Sequence, residues 1–69
     1  MNPGTTQIQS NNLKVMSDQL NHECLLNKKY SLYSTYCTDP QLKSLCTQAA
    51  ETHKQNFNEL KSFFDSRNQ

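Results

Sequence analysis

Apolar residues recur every three, four or seven positions along two long segments of the chain. This is the spacing of one face of an α-helix. The main apolar stripe of the first segment consists of Leu13, Met16, Leu20, Cys24, Leu26, Tyr30, Tyr33 and Cys37. That of the second segment consists of Leu42, Leu45, Cys46, Ala49, His53, Phe57, Leu60, Phe63 and Phe64. The pattern predicts an all-α fold with two amphipathic helices, at about 12–37 and about 40–66.

The break between the two segments lies at Thr38-Asp39-Pro40. Pro40 has no backbone N–H and disfavours helical geometry at Asp39. With Pro40 as the first helical residue, Asp39 becomes the N-cap of the second helix. Because so short a connection brings consecutive helices side by side, it predicts an antiparallel hairpin.

The start of the first helix is less sharply marked. Residues 1–11 have no helical period and predict a flexible tail. Asn11 and Asn12 are both suitable N-caps, and Ser17 is an alternative because an acidic residue follows it.

A second, narrower apolar stripe, Leu25, Leu32 and Tyr36, runs along another side of the first helix. A helix with two apolar stripes contacts more than one neighbour, and a lone hairpin of this length has little core. We therefore expect a second copy to complete a four-helix, ferritin-like bundle, as a homodimer. The expected interface consists of Leu20, Leu25, Leu26, Tyr30, Leu32, Tyr33, Tyr36, Leu45, Ala49, Phe57, Leu60 and Phe64.

Charge and composition exclude several classes of function. The net charge of +1 is spread along the chain without a basic stripe, which argues against nucleic-acid binding. No apolar run approaches the ~20 residues of a membrane span, and no signal-peptide segment is evident, so we expect an intracellular protein. We expect reduced thiols, with Cys24 and Cys46 buried and Cys37 the most exposed; a structural disulfide is the less favoured alternative.

Glu23 and His53 are the candidates for chemistry. Glu23 lies fifteen residues before Thr38 and His53 fifteen residues after it, so the two are predicted to lie at the same height in the hairpin. Each falls within the apolar stripe of its helix. An ionisable group is costly there unless it is paired or coordinated.

Two main interpretations of this pair remain open. The first is a hydrogen bond that fixes the register of the helices, joined by Tyr30, with no cofactor. The second is a metal site in which Glu23 and His53 hold Fe, Mn or Zn. Ferritin-like di-metal centres use a Glu and a Glu-x-x-His motif from each half, but here Ala50 stands three residues before His53. A third possibility is that one of the two side chains reaches solvent.

The segment from His22 to Tyr33 resembles the first helix of the Coat F family of spore coat proteins, and the segment from Pro40 to Phe64 is similar to its second helix. The residues that carry the resemblance are Glu23, Lys29, Tyr30, Tyr33 and His53. The resemblance implies a ferritin-like helical unit made in the mother cell of endospore-forming bacteria and associated with the spore coat and its other proteins. It implies no catalytic activity.

Three functional hypotheses follow. The leading one is a structural protein that self-associates through helix packing, in the spore coat. The alternative is a small ferritin-like metalloprotein with redox or metal-storage activity. The third is an adaptor that presents the stripe of Leu25, Leu32 and Tyr36 to another coat protein.

Overall fold

The structure is a computed structural model that describes residues 10–67. Two helices, α1 (Ser10–Tyr36) and α2 (Pro40–Arg67), are joined by residues 37–39 and pack along each other. The prediction of an all-α antiparallel hairpin is confirmed. Neither helix has an apolar stretch long enough to cross a membrane within the described residues.

Asp39 caps α2 as the sequence predicts. Its carboxylate Oδ1 accepts hydrogen bonds from the backbone N–H of Gln41 (2.8 Å) and of Leu42 (3.0 Å). The backbone carbonyl of Asp39 accepts the N–H of Lys43 at 2.9 Å, so the helical ladder begins at this residue. These bonds satisfy N–H groups that the first turn of a helix leaves unpaired.

α1 includes Ser10, the first residue that the structure describes, two residues before the predicted start at about 12. The three predicted N-cap candidates, Asn11, Asn12 and Ser17, lie inside the helix. Of the predicted tail, residues 10–11 are helical, and residues 1–9 lie outside the described part of the chain.

The two helices meet along a seam that is partly polar. On α1 the buried and half-buried seam positions recur at alternating spacings of four and three: Met16, Leu20, Glu23, Asn27, Tyr30 and Ser34. This is the spacing of a helix that packs against one antiparallel neighbour. The predicted apolar stripe is therefore displaced, because Cys24 and Leu26 lie at the two edges of the seam and not at its centre.

Few side chains are fully removed from water. Within residues 10–67 the buried hydrophobic residues are Met16, Cys46 and Ala50. Leu20, Leu26, Tyr30, Ala49, Phe57, Leu60 and Phe64, all predicted interface residues, are half-buried. Leu25, Leu32, Tyr33, Tyr36 and Leu45, also predicted, are exposed in the single chain.

Candidate functional site

The structure brings Glu23 and His53 together, as their equal distance from the turn predicts. The imidazole Nδ1 of His53 and the carboxylate Oε1 of Glu23 are 2.5 Å apart. The side chain of His53 is 23% exposed and that of Glu23 is 13% exposed. The pair occupies positions of the seam where two apolar side chains would be expected. Each group offers the other a hydrogen bond that compensates for part of its lost contact with water.

The direction of this hydrogen bond follows from the chemistry of its two groups. An ionised carboxylate only accepts hydrogen bonds, so Nδ1 of His53 carries the proton and donates it to Glu23. The second ring nitrogen, Nε2, has no hydrogen-bond partner among residues 10–67 and is not sealed from the surface. The ring is thus held by one nitrogen and leaves the other accessible.

The carboxyl group of Glu23 is held in its charged form. The hydrogen bond from His53 lowers the pKa of Glu23 below its ordinary value of 4.5, and burial opposes this shift. Asn56 lowers the pKa of Glu23 further through its side-chain amide, which lies 3.5 Å from the same Oε1. A carboxyl group with two amide or imidazole donors suits an electrostatic anchor better than a general acid at neutral pH.

Tyr30 orients the imidazole with the face of its ring. The rings of Tyr30 and His53 are stacked, with centroids 5.6 Å apart and planes 4° from parallel. Tyr33 meets Tyr30 edge to face at 6.0 Å. Tyr30 therefore joins the pair, as one interpretation of the sequence allows, and does so through its ring.

Sequence reasoning missed a second polar contact between the helices. The side-chain amide of Asn27 donates a hydrogen bond to the backbone carbonyl of Ala50 at 2.8 Å. Ala50 is 6% exposed, and its small side chain allows α1 to come this close. The available signal was position: Asn27 follows Glu23 by four residues, and therefore lies on the same face of α1.

The donor set does not fit a ferritin-like di-metal centre. Glu23 and His53 direct their facing atoms at each other, and Glu59, which lines the same groove as Glu23, does not complete a group of three ligands with them. Residues 10–67 contain no cluster of three or more His, Cys, Asp or Glu side chains that could hold a metal ion. Within the described residues the pair leaves two candidate ligand atoms without a hydrogen bond, Nε2 of His53 and Oε2 of Glu23.

The three thiols are free, and their burial differs in part from the prediction. Cys46 is buried, as predicted. Cys24 and Cys37 are both half-buried, so Cys24 is less buried and Cys37 less exposed than expected. The backbone N–H of Cys37 still donates to the carbonyl of Tyr33 at 3.0 Å, and this helical geometry turns its side chain back toward the seam.

Comparison with known proteins gives no relative from which to transfer a function. No family model matches this chain, and no curated protein or solved structure matches it.

Proposed function

We propose that this protein is a structural, self-associating protein in which two hairpins pack into a four-helix bundle. The observation that supports this most is the imbalance between core and surface. Three hydrophobic residues are buried in residues 10–67, whereas nine large hydrophobic residues are exposed there. A hairpin that leaves so much apolar surface in water gains free energy by covering it.

Four of the nine exposed large hydrophobic residues lie on one flank of the hairpin: Val15, Tyr33, Leu45 and Phe63. A groove on this flank is lined by Gln19, Glu23, Asn56, Glu59, Leu60 and Phe63, so these positions of α1 and α2 lie on the same side. Helical spacing from Gln19 and Asn56 adds further residues to this side. We call the set the apolar side: Val15, Leu26 and Tyr33 on α1, and Leu45, Ala49 and Phe63 on α2.

The opposite flank has fewer exposed large hydrophobic residues. Its groove is lined by Cys24, Asn27, Lys54, Phe57 and Asn58. On the apolar side, by contrast, Val15 is 58% exposed, Leu45 60% and Phe63 46%. Since four-helix bundles bury one such flank from each hairpin, a second copy is the partner that fits.

Sedimentation equilibrium or light scattering of the full chain tests the proposal. The parent protein is expected at twice the mass of one chain, and Leu45→Asp with Phe63→Asp is expected to be monomeric. The matched control is Leu25→Asp with Leu32→Asp, two exposed leucines on the back of α1, which should remain dimeric. A monomeric parent protein with a cooperative melt would contradict the proposal.

The cellular role that we propose for this assembly is in the spore coat of an endospore-forming bacterium. This part depends on the resemblance carried by Glu23, Lys29, Tyr30, Tyr33 and His53. A fluorescent fusion expressed during sporulation in such a host should form a ring around the developing spore. Diffuse fluorescence in the mother cell would count against the coat and leave the dimer proposal untouched.

A metal-binding protein is the second candidate, because the pair has the geometry of a histidine oriented for a metal. Histidines that bind metals usually donate the other ring N–H to a carboxylate, as His53 does to Glu23. Glu23 would then orient the ligand, and the remaining ligands would come from outside residues 10–67 of one chain. The Fe, Mn or Zn content of protein purified without chelator tests this: it should approach stoichiometry and fall in His53→Ala but not in His22→Ala.

A further inference from the structure

We infer that Cys37 and Cys46 form a dithiol site that reacts with small-molecule disulfides and closes to an intramolecular disulfide across the turn. The inference concerns the turn end of the hairpin and does not rest on the proposed dimer, although Tyr33 lines this cavity and also belongs to the apolar side. It assigns to these two cysteines a modification that the third, Cys24, cannot share.

Cys37 and Cys46 line the same cavity at the turn. Its other walls are Tyr33, Tyr36, Thr38, Asp39 and Leu42, so both thiols lie in one open cavity beside the connection. Cys37 is near enough to Cys46 to contribute to the raised pKa of the Cys46 thiol. Cys24 lines a different groove, on the opposite flank, beside Asn27 and Phe57.

The direction of the side chains explains why the two sulfur atoms converge. Side chains of an α-helix tilt toward its N-terminus. On α2 this tilt directs Cys46 down toward the turn, because Pro40 begins that helix. Cys37 keeps the helical hydrogen bond of α1 to Tyr33, so its side chain is directed up from the turn. The sulfur atoms therefore approach each other although Cys46 lies higher in the hairpin.

The thiols of Cys37 and Cys46 differ in solvent exposure, and this difference determines which of them reacts first with the disulfide reagent. Cys37 is half-buried and Cys46 is buried, at 8% exposure. Burial raises the pKa of the Cys46 thiol, and the nearby Cys37 raises it further. Cys37 is therefore the thiol that meets an incoming reagent first, because it is the more exposed of the two and burial disfavours the thiolate of Cys46.

The reaction balances with one small-molecule disulfide, RSSR, as the oxidant. The Cys37 thiolate attacks one sulfur of RSSR, the S–S bond breaks, and one RS⁻ leaves and takes up the proton that Cys37 lost. The Cys46 thiolate then attacks the Cys37 sulfur of the mixed disulfide and releases the second RSH. RSSR is reduced to two RSH, and the two cysteines are oxidised to one disulfide. The new bond closes a loop that spans the whole turn.

Oxidised glutathione is the probe, used on the full chain with Cys24→Ser to remove the third thiol. Mass spectrometry should show the loss of two hydrogens with no glutathione retained. With Cys46→Ser added, one glutathione should remain on Cys37, and reaction should be slower when Cys37→Ser is added instead. The closed form should melt roughly 10 °C higher and return to the original value with dithiothreitol.

Three results would overturn the inference. The first is a chain that keeps one glutathione on each of Cys37 and Cys46. The second is a disulfide that joins two chains, visible as a covalent dimer on a non-reducing gel. The third is an intramolecular disulfide that lowers the melting temperature, because the native hairpin would then oppose the bond instead of favouring it.

Discussion

At the scale of the residue, the polar contacts of the seam define how the helices align. Glu23 bonds His53, and Asn27 bonds the carbonyl of Ala50. If α2 slid by one heptad, Glu23 would face Leu60, and its carboxylate would lose its donor in a half-buried position. Polar contacts of this kind can select one register among several that apolar packing tolerates.

The charged form of Glu23 makes the stability of the hairpin dependent on pH. Because the folded pKa lies below the ordinary 4.5, the unfolded chain binds more protons between the two values. The stabilisation by Glu23 should be complete above pH 4.5 and lost as the pH falls through the folded pKa. Glu23→Gln should melt lower than the parent at pH 7, and the difference should shrink at acid pH; thermal melts by circular dichroism at several pH values measure it.

One control variant and one adverse outcome bear on this prediction. Glu59→Gln removes an exposed carboxylate near the same groove and should leave the pH profile close to that of the parent. A difference between Glu23→Gln and the parent that is equal at pH 7 and at pH 2 would show that the carboxylate charge is not the stabilising feature.

Asn27→Ala should lower the free energy of unfolding by about 1 kcal/mol, the usual net value of one hydrogen bond of this type. The bond to Ala50 crosses between the helices, so its loss is not compensated within α1. Asn21→Ala, at an exposed position on the same helix, is the matched control and should change stability by less than half as much. Urea denaturation followed by circular dichroism gives both values; equal losses would mean that the amide of Asn27 is dispensable.

The sequence predicts the Glu23–His53 contact but not the Asn27–Ala50 contact, and the difference has a physical cause. A carboxylate and an imidazole within apolar stripes demand partners, and counting from the turn identifies them. An asparagine does not indicate a buried partner in this way, because its amide can hydrogen-bond equally well to water. Its partner is also a backbone carbonyl, which every residue possesses.

At the scale of the element, the sequence specifies the start of α2 more sharply than that of α1. Asp39 and Pro40 specify the start of α2 locally, and this was predictable. The start of α1 has no such marker, because several neighbouring residues are equally suited to a cap. The partly polar seam was not predictable from hydrophobic periodicity, which locates apolar side chains, whereas the real contact line includes Glu23 and Asn27.

Removal of the Asp39 cap measures how much this residue contributes to the free energy of unfolding. Asp39→Ala should lower the free energy of unfolding by about 1 kcal/mol, because the N–H groups of Gln41 and Leu42 lose their acceptor. Asp39→Asn keeps a side-chain oxygen in the same place and should lose much less. Both are measured by urea denaturation. A loss in Asp39→Asn as large as that in Asp39→Ala would point to the charge of Asp39 instead of its hydrogen bonds.

At the scale of the whole molecule, the small core of one hairpin should make its stability depend on association with a second copy. If the apolar side is covered by a second copy, folding and association are linked, and the melting temperature rises with concentration. A tenfold increase in protein should raise it by roughly 5 °C for a dimer of this size. Scanning calorimetry over such a range tests this. A melting temperature that does not depend on concentration would indicate that one hairpin is stable alone.

The three-residue connection also determines how the hairpin opens. Near the turn, contacting residues are close in the chain, whereas Glu23 and His53 are thirty positions apart, and contacts toward the free ends are separated by more. Once the contacts nearer the connection have formed, each further contact between the helices forms at little additional cost in chain entropy. Amide hydrogen exchange should therefore be fastest at the two free ends and become slower toward the connection, because the hairpin opens from its free ends.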